Sequence, residues 1–233
     1  MNFDEIVKKY RIYGLKHFIQ AGLKETWYRF YSNLLNNSYA QCGEDLVIDK
    51  FFKGKTSGVY IDIGANDPVR FSNTKRFYDK GWTGVNIEPN PYLIEKFLVA
   101  RPKDKNINMG VALEKSDLLF YIFFPDTLST FSKVQMEEYK NAGFHLVETR
   151  TVPVVPLEEL IDNELNGKTI DFISIDTENF DLEVLQSLNL LKNKPSLIMV
   201  EGNDKRISDL LEINRYQVHH TTEINKIYVY KKD

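Results

Sequence analysis

The sequence predicts an α/β fold: a mostly parallel central sheet with helices on both faces and an antiparallel strand at its end. Three observations predict it. Short β-rich runs alternate with helical ones from about residue 58, the first run ends in a glycine turn, and the last two runs are close enough to pair as a hairpin. Alternation at this spacing is the signature of βαβ units and a sheet covered on both faces.

The elements follow in order. Phe3, Ile6, Val7 and Tyr10 recur at helical spacing, as do Trp27, Phe30, Tyr31, Leu34 and Leu35, with Lys8, Lys9, Lys16, Lys24 and Arg29 between them. Residues 1–38 therefore read as an N-terminal helical extension, a cover for the main domain or a contact in a homo-oligomer. Basic and aromatic residues also mix in helices that lie on membranes, but the cover reading is carried forward. Residues 39–233 read as one domain. Its first strand is Gly58 to Gly64, followed by a helix over 72–80 that Ser72 or Asn73 can cap. Thr83 to Glu88 is the second strand, closed by Pro89-Asn90-Pro91. A helix over 92–100 leads to a third strand from Ile107 to Leu113.

The middle is less regular. Leu118 to Phe124 reads as an extra strand, 125–132 as a polar loop, 133–142 as a helix and Val147 to Val155 as another strand. Alternation then resumes with a strand at Ile170 to Asp176, a helix over 181–191 and a strand at Ser196 to Glu201. Tyr216 to Thr222 and Lys226 to Tyr230 form the terminal hairpin.

Composition narrows the class. A chain of 233 residues suits one α/β domain with a modest extension. The formal charge of −3 argues against nucleic acid as a partner. A single cysteine, Cys42, excludes a disulfide framework and a cysteine zinc site, and fits a reducing compartment. The opening Met1-Asn2-Phe3-Asp4-Glu5 lacks a signal-peptide pattern, and no apolar run has the length of a transmembrane span. The expected location is the cytoplasm.

Chemistry concentrates at the turn after the first strand. In doubly wound folds ligands bind beyond the carboxyl ends of strands. Asp62-Ile63-Gly64-Ala65-Asn66-Asp67 occupies that position, but Pro68 and Val69 stand where a dinucleotide fingerprint would repeat glycine. An acidic turn of this kind suits a cationic ligand better than a pyrophosphate. Glu88 ends the second strand two dozen residues later, where an acidic side chain accepts hydrogen bonds from the ribose hydroxyls of an adenosine cofactor.

Several segments in order then resemble one family. Gln41-Cys42-Gly43-Glu44-Asp45, Tyr60 to Pro68, Ser72-Asn73-Thr74, Gly81 to Pro89, Leu128-Ser129-Thr130 and Asp171 to Asp176 look like the FkbM methyltransferases, from about residue 38 to 202. The resemblance implies a Rossmann-like class I methyltransferase fold. It also implies O-methyl transfer from S-adenosylmethionine, commonly to sugars, polyketides or other glycosylated compounds, and the expected acceptor is a sugar hydroxyl of a nucleotide-sugar or surface-polysaccharide precursor. Its cofactor set on this chain is Gln41, Asp62, Gly64, Asn66, Ser72, Asn73, Glu88, Pro89 and Ala112. The family continues after its fourth strand as Asp-x-Glu-Gly-x-Glu, where this chain has Asp176-Thr177-Glu178-Asn179-Phe180-Asp181. Asparagine tolerates a left-handed backbone best among non-glycine residues, so the turn is expected to survive.

A sugar hydroxyl needs its proton removed, so a base or a metal is expected. Asp176, Glu178 and His219 are the candidate catalytic residues. His219 and His220 lie on one predicted strand, which alternation would send to opposite faces. Asp176, Glu201 and Asn203 at adjacent strand ends form an oxygen donor set of the kind that holds Mg²⁺. Ser129-Thr130 could touch the acceptor, and specificity is expected in the irregular 114–156 region. Two rivals stand beside this reading. Tyr92 and Lys96 match the Tyr-x-x-x-Lys pair of NAD-dependent short-chain dehydrogenases, and Asn179 would suit an inactive binding protein of the same fold.

Overall fold

The structure, a computed structural model, describes residues 37–231. The expected N-terminal helices, apart from the last two residues of that stretch, lie outside the described residues. Strands β1 (Val59–Ile63), β2 (Thr83–Ile87), β3 (Lys105–Ile107), β7 (Phe172–Ile175), β8 (Leu197–Glu201), β9 (Tyr216–Thr221) and β10 (Asn225–Tyr230) form one sheet in the order β3-β2-β1-β7-β8-β10-β9. The pairs among β3, β2, β1, β7 and β8 are parallel, and β10 runs antiparallel to both β8 and β9. The predicted hairpin is thus inserted so that its second strand meets β8. A second sheet, β4 (Gly110–Val111), β6 (His145–Val155) and β5 (Ser116–Phe124), carries the irregular middle of the chain.

The central strands are apolar on both faces because helices cover both. Ile61, Ile63, Val85, Ile87, Ile173 and Ile175 pack under α5 (Leu157–Leu165), α6 (Asp181–Gln186) and α7 (Lys205–Ile213). The opposite pleat, Tyr60, Phe172, Leu197 and Met199, meets Ile48 of α1 (Glu44–Phe51), Phe77 of α2 (Lys75–Asp79) and Trp82. Helix α3 (Pro91–Ala100) starts with Asn90 accepting the Tyr92 N–H and seals Ala65 with Ile94 and Phe97. The buried acid Glu44 ties the start of α1 to the β9–β10 turn by accepting from Thr222 and Asn225.

Three predicted boundaries shift. The third strand breaks in two: β3 stays in the main sheet, β4 crosses to the small one, and Asn108 between them donates to the carbonyls of Glu88 and Pro89. Helix α2 starts at Lys75 rather than 72, because the Ser72 hydroxyl accepts the Lys75 N–H from outside the helix. Helix α6 stops at Gln186 because Ser187 turns its hydroxyl back to the Val184 carbonyl and accepts the Leu157 N–H. Helices α1, α5 and α7 have no counterpart among the expected elements. Among the described residues, no helix is long and apolar enough to cross a membrane.

Candidate active site

The carboxyl ends of β1, β2, β7 and β8 meet along one rim. Gly64 turns the chain off β1 at φ +74, and a Cβ there would stand 1.7 Å from the carbonyl oxygen of Asp176. The glycine is therefore demanded by the crossing of the β1 and β7 turns.

Glu88, at the end of β2, is buried, and each carboxylate oxygen takes a backbone N–H: Asn66 at 2.8 Å and Asn90 at 2.7 Å. Burial outweighs those two bonds and pushes its carboxyl up to about 7. Asn66 stands at φ +50, and its side-chain oxygen is buried without a hydrogen-bond partner. An unmatched acceptor beside a buried acid is where a hydroxyl or ammonium donor would fit. Pro89 is buried beside Glu88, and Ala112 is buried with its N–H on the Val155 carbonyl.

Asp62 and Ser72, both expected in the cofactor set, are engaged within the protein. Asp62 accepts from the Thr74 hydroxyl at 2.6 Å, and Ser72 from Arg101 at 2.5 Å, both inside a buried network. Burial raises the Asp62 carboxyl, opposed by the Arg101 charge and the Thr74 and Ser174 hydroxyls. Asn73 reaches toward Ser174. These groups face Arg101, a residue that carried no signal in the sequence. Gln41 is exposed ahead of α1.

The second half of the rim is acidic. One carboxylate oxygen from each of Asp176, Glu178 and Glu201 falls within 4.8 Å of the other two. Glu178 thus joins Asp176 and Glu201, while Asn203 of the expected donor set is exposed just past the end of β8. Burial, then the charges of Glu201 and Glu178, raises Asp176 well above the usual carboxylate range. Glu178 is pushed up to about 7 by burial and by Glu201, with the Tyr139 hydroxyl pulling the other way. Glu178 and Asn179 are both left-handed, at φ 52 and 70, a conformation non-glycine residues adopt only when held.

The holding groups come from the small sheet and α4 (Lys133–Asn141). Tyr139 donates to the Glu178 carboxylate at 2.6 Å, Thr130 donates to the Glu178 carbonyl at 2.9 Å, and Asn179 donates to Gln135. Phe131 packs on Phe180. The same insert reaches the β1 turn through Asp126, which pairs with Arg70 at 3.0 Å. Ser129 accepts the Phe123 N–H, an internal turn contact.

His219 is not brought to this rim. It lies exposed on the edge strand β9, two places from β8, with its ring edge-on to Phe51. Tyr92 donates to Glu148 and Lys96 pairs with Asp67, so the two residues of the dehydrogenase pattern serve separate partners.

Residues 62–224 match the family model described as the methyltransferase FkbM domain. No curated protein sequence matches the chain. Among solved structures, methyltransferase FkbM from Methylobacillus flagellatus KT is similar over 98% of this chain, with a TM-score of 0.52 and 12% identity. The chain spans 59% of that structure's length. A 1,6-didemethyltoxoflavin-N1-methyltransferase from Burkholderia thailandensis, solved with S-adenosylhomocysteine, has a TM-score of 0.44 and 9% identity, covering 94% of this chain and 92% of its own. A TehB-like SAM-dependent methyltransferase from Corynebacterium glutamicum has 0.40 and 11%, covering 91% and 100%.

Proposed function

Because the chain belongs to the FkbM methyltransferase family, we propose that it transfers a methyl group from S-adenosylmethionine to a sugar hydroxyl. The acceptor class is a nucleotide sugar or another polysaccharide precursor in the cytoplasm. The observation that carries the reading is the link at the rim: buried Glu88 holds the Asn66 N–H of the β1 turn, and Asn66 keeps an unmatched oxygen beside it.

The cofactor supplies an electrophilic methyl group on a sulfonium. The chain's residues do the rest. Glu88 would hold the ribose hydroxyls on lone pairs its backbone partners leave open, and Asn66 would accept a donor of the same ligand. On the acidic side Glu178 would take the acceptor hydroxyl proton. A base near neutrality is well matched to that transfer. Tyr139 and Thr130 hold Glu178 in place, which is where positioning lowers the barrier.

The convergence of Asp176, Glu178 and Glu201 favours a second reading for the same groups. Three carboxylates fit a hard divalent cation such as Mg²⁺, which would supply Lewis-acid activation of the acceptor.

Thermal unfolding with S-adenosylhomocysteine, against NAD as control, tests the cofactor. A ligand at a hundred times its Kd adds roughly 2.7 kcal/mol, several degrees for a domain of this size. A shift with S-adenosylhomocysteine alone is expected, and a shift with NAD alone would overturn the reading. Methyl transfer to a nucleotide-sugar panel, in EDTA and in Mg²⁺, then tests acceptor and metal.

A further inference from the structure

We propose that Arg101 is the positioning residue of the cofactor turn: its guanidinium fixes residues 65–74 so that Asn66 meets Glu88. The inference rests on the methyltransferase reading and adds a residue to it. Arg101 follows α3 and is fully buried. Its Nε and Nη2 both donate to the Pro68 carbonyl, at 2.9 and 2.6 Å. Nη2 also donates to the Ser72 hydroxyl at 2.5 Å, and Nη1 to the Thr74 hydroxyl at 2.6 Å. One planar group thus holds three points of a single loop.

That loop needs holding. It has no regular structure, and Asn66 and Phe71 stand at φ 50 and 58. Its own side chains contribute short local caps: the Asp67 carboxylate accepts the Val69 and Arg70 N–H groups, and the Ser72 hydroxyl accepts the Thr74 N–H. Two acids balance the guanidinium: Asp62, through the Thr74 hydroxyl, and Asp104, which Tyr60, Gly84 and Asn86 surround with donors. Phe97 and Tyr78 lie against it at 5.2 and 5.9 Å. A buried ion set of this size is a costly way to close a loop that apolar contacts could close. What it gains is geometry, because a guanidinium fork sets the directions of its acceptors and an ammonium does not.

The placement gives Ser72 and Thr74 a role as direct partners of Arg101, with Asp62 behind Thr74. It also makes Arg101 separable from Glu88, since the guanidinium touches neither Glu88 nor Asn66.

The test is S-adenosylhomocysteine affinity by calorimetry on the full chain. Arg101→Lys keeps the charge that balances Asp62 and Asp104 but loses the fork, and should weaken binding at least tenfold. Leu197→Ala opens a cavity at the amino end of β8, away from the rim, and calibrates what lost stability alone does to binding; its affinity should stay within twofold. Ser72→Ala removes one acceptor with the ion set intact and should weaken binding by several fold. In the double variant Ser72→Ala should add little to Arg101→Lys, because both break the same hold. Should Arg101→Lys not fold, Ser72→Ala carries the test alone. Wild-type affinity in Arg101→Lys, or in Ser72→Ala, overturns the proposal, and so does an equal loss in Leu197→Ala. Failure of the wild-type chain itself to bind S-adenosylhomocysteine would instead sink the methyltransferase reading, and this inference with it.

Discussion

Glu88 is the residue on which the cofactor reading is most exposed. Glu88→Gln keeps the shape and one acceptor oxygen, so S-adenosylhomocysteine affinity should fall about tenfold by calorimetry while the protein stays folded. Its pH dependence has a definite sign. The folded carboxyl titrates near 7 against an ordinary 4.5, so the protonated form favours folding. That stability is full below pH 4.5 and is lost as pH rises through 7, up to about 3 kcal/mol. Urea unfolding from pH 4.5 to 7.5 should show a decline that Glu88→Gln makes shallower, the remainder coming from the other raised carboxyls such as Glu178. Ligand affinity should run the other way, tightening as pH rises through 7, because the ionised carboxylate is the better acceptor of ribose hydroxyls. Asn203 gives a contrast at the same scale. Exposed just past the end of β8, it should tolerate Asn203→Ala with a stability change within about 0.5 kcal/mol.

The insert of β5, α4 and β6 is the element that completes the acidic side of the rim. Its apolar anchor is Phe131, whose ring lies where a Cβ on Gly110 would stand. Its polar contacts fall on the two turns that frame the site, Asp126 on Arg70 and Tyr139 on Glu178. Tyr139→Phe removes the donor from a half-buried carboxylate, a cost of about 1 kcal/mol. Methyl transfer should drop at least tenfold with S-adenosylhomocysteine affinity unchanged, because Tyr139 touches the acceptor side alone. Equal loss of both would mean that the insert shapes the whole rim. The region was expected to set specificity from its irregular pattern. What could not be read from that pattern is that its helix crosses to the β7 turn.

At the scale of the molecule, the sheet is held by strands buried on both faces. Leu197, Phe172 and Ile173 are fully enclosed, and Leu197→Ala should cost about 2–5 kcal/mol by denaturant unfolding. Much of this architecture was legible in the chain. The runs Tyr60 to Ile63, Phe172 to Ile175 and Leu197 to Val200 are short, apolar and β-branched, and local pattern suffices for such strands. Helices α5 and α7 escaped notice because their faces mix acids with leucines. The break between β3 and β4 escaped because both halves read as strand, and only the choice of partner separates them.

By itself the sequence determined the alternation of elements, the glycine turn, the acid at the end of β2 and the acids after β7. These are local matters of period, propensity and residue type. Tertiary structure decided which of those residues share a site. It buried Asp62 and Ser72 around Arg101, set Gly64 against the Asp176 carbonyl, brought Glu178 to Asp176 and Glu201 and left His219 on the far edge. The reason is physical: which groups meet across the fold depends on strand order and helix packing, and residues as far apart as Tyr139 and Glu178 carry no mutual signal along the chain.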